Sequence, residues 1–343
     1  MQQWKGYEKG MDLGGWFSQC DHTKERYECF ITENDFLRLV TWGIDHVRIP
    51  VDYNLVETEE GEYKEEGFAH LQRAIDWCGK YGLNMILDLH KTKGYSFDSG
   101  EKEEGFFESE KYQERFYLLW EEFAKRFGQY SDRLAFELLN EVTDQSYCDT
   151  WNRIADTCIK RIRVFAKDVK ILVGGYWNNS VSAVKDIKLS DYTNIILNFH
   201  CYEPFIFTHQ GAGWVPAFPA DFRLRFPASV CVYAENYKKY FPDMLQSFLD
   251  NIKGKRVIDS DYFENLFAEA IAYAEELDVP LYCGEYGVID KADNASILEW
   301  YQTIHPVFVR HGIGRAAWSY RLMDFGFTDE RLRGIFDQLI KNL

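Results

Sequence analysis

Residues 134–142 read LAFELLNEV, a short apolar run that closes on two polar residues, Asn140 and Glu141. A run of that length bounded by polar residues reads as a strand buried on both faces, as in a parallel sheet. Working outward, residues 280–288, PLYCGEYGV, repeat the pattern around Glu285, and six further runs match it at 10–16, 46–51, 84–90, 170–175, 194–202 and 314–320. Helical patterns fill the spaces between them. Thr32 before ENDFLRLVTWG supplies a start and Gly43 a stop, GFAHLQRAIDWCGKYG ends at Gly82, and amphipathic runs follow at 112–127, 151–165, 262–277 and 297–309. Eight alternations of this kind predict an α/β chain folded as a (β/α)8 TIM barrel, one catalytic domain over residues 1–343, with functional groups where the strands end. One interval is too long for an ordinary loop. Residues 209–258 therefore predict a small helical insertion between strands six and seven, lying over the active-site face.

The chain has 343 residues, 46% of them hydrophobic, and a net charge of −16. Nucleic acid and anionic membrane both ask for a basic face, so this charge excludes them as partners. Aromatics make up 17% of the residues, with 10 Trp and 22 Tyr, a surplus that rings stacked on sugar faces would use. The eight cysteines, at 20, 29, 78, 148, 158, 201, 231 and 283, form no CxxC pair and read as reduced, buried small residues. The opening MQQWKGYEKG has no apolar leader and no run approaches 18 apolar residues, so the chain reads as soluble. Both a cytoplasmic protein and a secreted one with its leader removed fit that reading.

Side chains alternate faces along a strand, so polar groups aimed at one barrel mouth should share a parity. Counting along the runs places Glu137, Leu139 and Glu141 on one face, and likewise Leu281, Cys283 and Glu285. The same count pairs His46 with Arg48, Asp88 with His90, Asn198 with His200 and Tyr202, and Ala316 with Trp318. Six strands thus converge Arg48, His90, Glu141, His200 with Tyr202, Glu285 and Trp318. Core packing does not require a polar or aromatic residue at the end of six apolar runs. Two carboxyls across one C–O bond are the parts needed to cleave a glycosidic linkage. Glu137, four residues deeper, reads as a buried structural carboxylate paired with the inward-facing His46. No HExxH or other tight ligand spacing occurs, so no metal and no cofactor is expected.

In order along the chain, Arg48 in HVRIPVDY, His90 in LDLHKTKG, Asn140 and Glu141 in FELLNEV, His200 and Tyr202 in NFHCYEPFIFTHQ, Glu285 in CGEYGV and Trp318 in AAWSYRLMDF resemble glycoside hydrolase family 5, the cellulase family A. The resemblance covers nearly the whole chain. It implies a monomeric enzyme working by retaining double displacement, with Glu141 as acid/base and Glu285 as nucleophile. Arg48 and Tyr202 would supply Glu285 with a cation and a hydrogen-bond donor, and Asn140 would bind the 2-hydroxyl of the reacting sugar. His200 would contact Glu141, His90 the sugar before the cut, and Trp318 would floor that subsite. The implied substrate is an internal β-1,4-glucosidic bond of cellulose or mixed-linkage β-glucan, with mannan, glucomannan or exo-acting β-glucan cleavage as the alternative. A barrel that binds glycans without cutting them is disfavoured by the presence of both carboxylates, and a phosphate-binding barrel by the acidic GEYGVID and SYRLMDF. Many relatives follow the first histidine of LDLHKTKG with a second histidine and a proline, where this chain has Lys91 and Thr92. Trp16, Trp177, Trp214 and Phe205 are the candidate sugar platforms.

Overall fold

The computed structural model describes residues 1–98 and 100–343. Eight parallel strands close into one barrel in sequence order: β1 Gly10–Asp12, β2 His46–Asp52, β3 Asn84–Lys91, β4 Leu134–Glu137, β5 Lys170–Gly174, β6 Ile195–Cys201, β7 Leu281–Tyr286 and β8 Gly314–Ala317. The long helices Glu65–Tyr81, Glu110–Phe127, Cys148–Phe165, Ser260–Glu276 and Asn294–His311 wrap the outside. Local chemistry explains where they begin and end. The helix Glu33–Thr41 starts where the Asp35 carboxylate accepts from the Thr32 amide at 2.8 Å, satisfying an N-terminal donor the helix cannot satisfy itself. The helix Glu65–Tyr81 stops at Gly82, whose φ of 69° a side chain would resist.

The barrel floor is plugged by an inner cluster of Ile86, Ala135, Leu172, Ile196, Tyr282 and Ala316 with Trp4 and Tyr7 from the N-terminal segment. Trp4 stacks on Tyr7 at 3.7 Å between ring centres, so the bottom is sealed by packed rings and only the other end opens. Between β6 and the helix Ser260–Glu276 lie the helices Val230–Tyr240 and Pro242–Ile252. Their Tyr233, Tyr237 and Phe248 pack in the same apolar core as the barrel helices. All eight cysteines are free, and Cys29 and Cys231 are exposed, contrary to the expectation that all are buried.

Four strand readings are corrected. β4 ends at Glu137 and not at Glu141, because Glu141 has a φ of 42°, which no strand accommodates. The alternation breaks there too: Leu138 and Leu139 both join the outer core, and Asn140 turns inward together with Glu141. On β7 the register steps from Phe199↔Cys283 to His200↔Glu285, leaving Gly284 as a bulge. A Cβ on Gly284 would meet the Asn198 amide at 2.7 Å and His200 Nε2 at 3.1 Å, so this residue also faces the barrel interior. Leu281 and Cys283 face the helices, and the bulge alone brings Glu285 back inside. β1 and β8 are likewise shorter than expected: β1 ends at Asp12 before Gly15, whose φ is 74°, and β8 ends at Ala317.

Candidate active site

Arg48 rises from β2 fully buried and places its guanidinium among four carboxylates. Nη1 lies 3.1 Å from Asp12 and 2.8 Å from Glu285, Nη2 3.0 Å from Asp88, and Nε 2.6 Å from Glu137. Five donors in a planar fork suit this role, which a lysine could not fill. Nη2 also donates to the Asn140 side-chain oxygen at 3.0 Å. Glu137 is thus bridged to Glu285 through one guanidinium and accepts a further bond from Asn198 at 2.8 Å. The expected Glu137–His46 pair does not form: His46 bonds Asp45 at 2.5 Å and the Tyr282 hydroxyl at 2.6 Å in the barrel floor. The reach of the arginine side chain explains the difference, since it spans the depth that separates the two layers. Burial pushes the carboxyls of Asp12 and Glu137 up and that of Asp88 up to about 7, against the opposing pull of Arg48.

Glu285 accepts from Arg48 on one oxygen and from the Tyr202 hydroxyl, at 2.8 Å, on the other. Burial holds that phenol well above its usual range, so it stays a donor. Across the mouth, Glu141 Oε1 lies 2.8 Å from His200 Nδ1 and Oε2 accepts from the Asn178 amide at 3.1 Å. Burial raises the Glu141 carboxyl above its ordinary value, opposed first by the Asn178 bond. The Tyr95 hydroxyl donates to the Glu141 carbonyl at 2.7 Å and accepts from the Thr143 amide at 2.9 Å, bridging the turn that carries the positive φ. One donor atom from each of Glu141, His200 and Glu285 lies within 4.8 Å of the others. Among the described residues this is the group with the spacing to hold a metal ion. His200 Nδ1 is already engaged with Glu141, and Arg48 and Tyr202 occupy the Glu285 oxygens.

His90 bonds Asp88 at 2.6 Å, and its ring lies parallel to that of Trp318, 6.0 Å away. Trp318 covers Gly14, where a Cβ would meet the indole at 2.7 Å. Of the four candidate platforms, Trp177 and Trp214 are exposed at 52% and 53%. Trp16 is not a platform: it is fully buried, donates from its indole to the Tyr27 carbonyl at 3.0 Å and stacks on Phe17. Phe205 packs sideways, stacked on His209 and edge-on to Phe241. Sequence reasoning missed Asp12, Tyr95, Asn178, Asn179 and His209 at or beside the mouth. For the two asparagines a signal existed, since an NN pair three residues beyond Gly175, in the loop that follows a strand, favours left-handed turns.

Burial lowers the His200 pKa to about 4, from 6.5. The folded state therefore refuses a proton that the unfolded chain accepts. Stability contributed by neutral His200 is fully present above pH ~6.5 and is lost as the pH falls toward about 4, at roughly 1.4 kcal/mol per pH unit. Denaturant unfolding between pH 7 and 4 should show this decline, and His200→Asn should flatten it. An unchanged slope in that variant would contradict the assignment.

The sequence model described as Cellulase (glycosyl hydrolase family 5) matches residues 3–323. Cellodextrinase A of Ruminococcus flavefaciens is 45% identical over 311 residues, covering 91% of this chain and 84% of that protein. Endoglucanase C of Acetivibrio thermocellus is 35% identical over 344 residues, 98% of each chain. Among solved structures, a hyperthermophilic endo-β-1,4-glucanase in complex with substrate superposes with a TM-score of 0.75 at 23% identity, covering 98% of this chain and 97% of that one. That likeness is one of fold.

Proposed function

The chain belongs to glycosyl hydrolase family 5, and on that premise we propose that it cleaves internal β-1,4-glucosidic bonds of a β-glucan by retaining double displacement. The observation that carries this reading is the facing pair Glu141 and Glu285, with an oxygen of each within 4.8 Å of the other. Retaining enzymes set their carboxyls about 5 to 5.5 Å apart, whereas inverting ones leave room for water at about 6.5 to 9.5 Å. The differing surroundings of the two carboxyls divide the labour.

In the first step a Glu285 oxygen attacks the anomeric carbon while Glu141 passes its proton to the departing glycosidic oxygen. The C–O bond breaks, an ester to Glu285 forms, and Glu141 is left as a carboxylate. In the second step Glu141 takes a proton from water, whose oxygen attacks the anomeric carbon and frees Glu285. The carboxyl of Glu141, raised by burial, suits the group that must carry the proton given to the leaving oxygen. Asn140, oriented by Arg48 on its oxygen, has an amide nitrogen without a partner among the described residues, available to a sugar hydroxyl. Trp318 beside His90 offers a flat wall to the sugar ring, and Trp177 and Trp214 are exposed rings free to take further sugars.

A second reading is favoured by the 45% identity to a protein named a cellodextrinase: action on short β-1,4-gluco-oligosaccharides in preference to polymer. Product profiling separates the two. The endo reading expects mixed oligosaccharides from mixed-linkage glucan and a fast drop in viscosity; release of only short products from chain ends, with polymer viscosity retained, supports the oligosaccharide reading instead. Proton NMR of the fresh products should show the β-anomer first, and an initial α-anomer would overturn the double displacement.

A further inference from the structure

After β5 the chain makes a turn that no L-residue enters readily. Trp177, Asn178 and Asn179 have φ of 49°, 56° and 55° in succession. Asparagine is among the residues that tolerate this region, which accounts for the NN pair. The turn is anchored at both ends: the Asn178 amide donates to the Val142 carbonyl at 3.0 Å, and the Ser180 amide donates to the Tyr176 carbonyl at 3.1 Å. This geometry points two consecutive side chains at the acid/base. Asn178 Nδ2 donates to Glu141 Oε2 at 3.1 Å, and Asn179 Nδ2, fully buried, lies 3.3 Å from His200 Nε2.

An amide nitrogen only donates, so His200 Nε2 accepts and carries no proton. The neutral ring then holds its proton on Nδ1, which donates to Glu141 Oε1. Oε1 takes the shorter imidazole bond at 2.8 Å and Oε2 the longer amide bond at 3.1 Å, so Oε2 is the oxygen freer to carry the proton that Glu141 transfers. We propose that Asn178 and Asn179 are positioning residues for the acid/base, Asn179 by fixing the His200 tautomer and Asn178 by orienting Oε2 toward the cleft. This rests on Glu141 being the acid/base, and the left-handed turn delivers both contacts from adjacent residues.

The test uses the dependence on leaving group. A dinitrophenyl β-cellobioside departs without protonation, whereas cellotetraose needs it. Asn178→Gly, which accepts the positive φ, and Asn179→Asp, which keeps the shape but turns the donor facing Nε2 into an acceptor, should lower kcat/KM on cellotetraose about ten- to a hundred-fold. On the dinitrophenyl substrate kcat/KM should hold within about three-fold, since the acid is not called upon there. A proportional loss on both substrates, as from a purely structural defect, overturns the proposal, and so does no loss on either. In Asn178→Gly the alkaline limb of kcat/KM should also move up by about half to one pH unit, because a donor favouring the charged carboxylate is gone. The other charged or titratable groups facing Glu141, namely Arg48, Asp88, His90, Tyr95, His200, Tyr202 and Glu285, remain in place. Nitrogen-15 NMR of the unaltered protein reads the tautomer without any variant: a proton on His200 Nδ1 is expected, and one on Nε2 overturns the proposal. Glu141→Ala separates the two levels. If it shows the same substrate selectivity while the asparagine variants do not, only the positioning role falls; if it loses both substrates alike, the acid/base assignment falls with it.

Discussion

Glu285→Gly should lose hydrolysis by about ten-thousand-fold or more while folding nearly as before, and azide should restore turnover with an inverted, α-configured glycosyl azide. Without the carboxylate no glycosyl ester forms, and water alone is poorly placed on that face. Azide is small enough to enter the space left by the side chain and attacks the anomeric carbon once, so the configuration inverts once. Folding survives because Arg48 keeps Asp12, Asp88 and Glu137 as partners, so no buried cation is abandoned. Substantial turnover in the variant without azide would sink the nucleophile assignment. A β-configured azide would sink the single displacement inferred for the rescue.

Arg48→Met should be the most destabilising single change around the site, by about 3 to 5 kcal/mol, and should also abolish activity. It removes the only cation in contact with Asp12, Asp88 and Glu137, all fully buried among the described residues. Burial already raises these carboxyls and Arg48 opposes the rise, so without it they climb further above their unfolded values. A carboxyl whose folded pKa is raised supports the fold below its unfolded pKa, near 4, and costs stability as the pH rises toward the folded value. The loss should therefore be larger at pH 7 than at pH 5. Denaturant unfolding at the two pH values checks this, and adding Glu137→Gln should restore part of the stability. Equal losses at both pH values, or no gain in the double variant, would contradict the account.

Much of this was legible in residue pattern. Eight apolar runs with helical intervals mark a parallel sheet of the eight-fold βα kind, because every strand of such a sheet is buried on both faces and so lacks the polar alternation of a half-exposed one. Thr32, Gly43 and Gly82 mark helix ends through backbone chemistry that acts within a few residues. Parity held on β2, β3 and β6 and brought Arg48, His90, His200 and Tyr202 to one mouth. It failed on β7, where Leu281 and Cys283 face outward, and on β4 beyond Glu137. A bulge at Gly284 and a left-handed residue at Glu141 each reset the count by one, and neither follows from apolar periodicity. Trp16 and Phe205 show the same limit from another side. An aromatic in a loop has one composition whether it faces sugar or core, and only the surrounding rings decide.

What residue order alone determined is therefore the set of short-range facts: element type, helix ends and the strands after which chemistry collects. What only the tertiary structure decided is which partner each buried polar group takes: Glu137 with Arg48 in place of His46, Asn179 with His200, Tyr95 with the carbonyl of Glu141. The reason is physical. Secondary structure is set by interactions spanning a few residues, whereas a buried charge pairs with whichever donor the packed barrel brings within about 3 Å, and that donor lies anywhere along the chain.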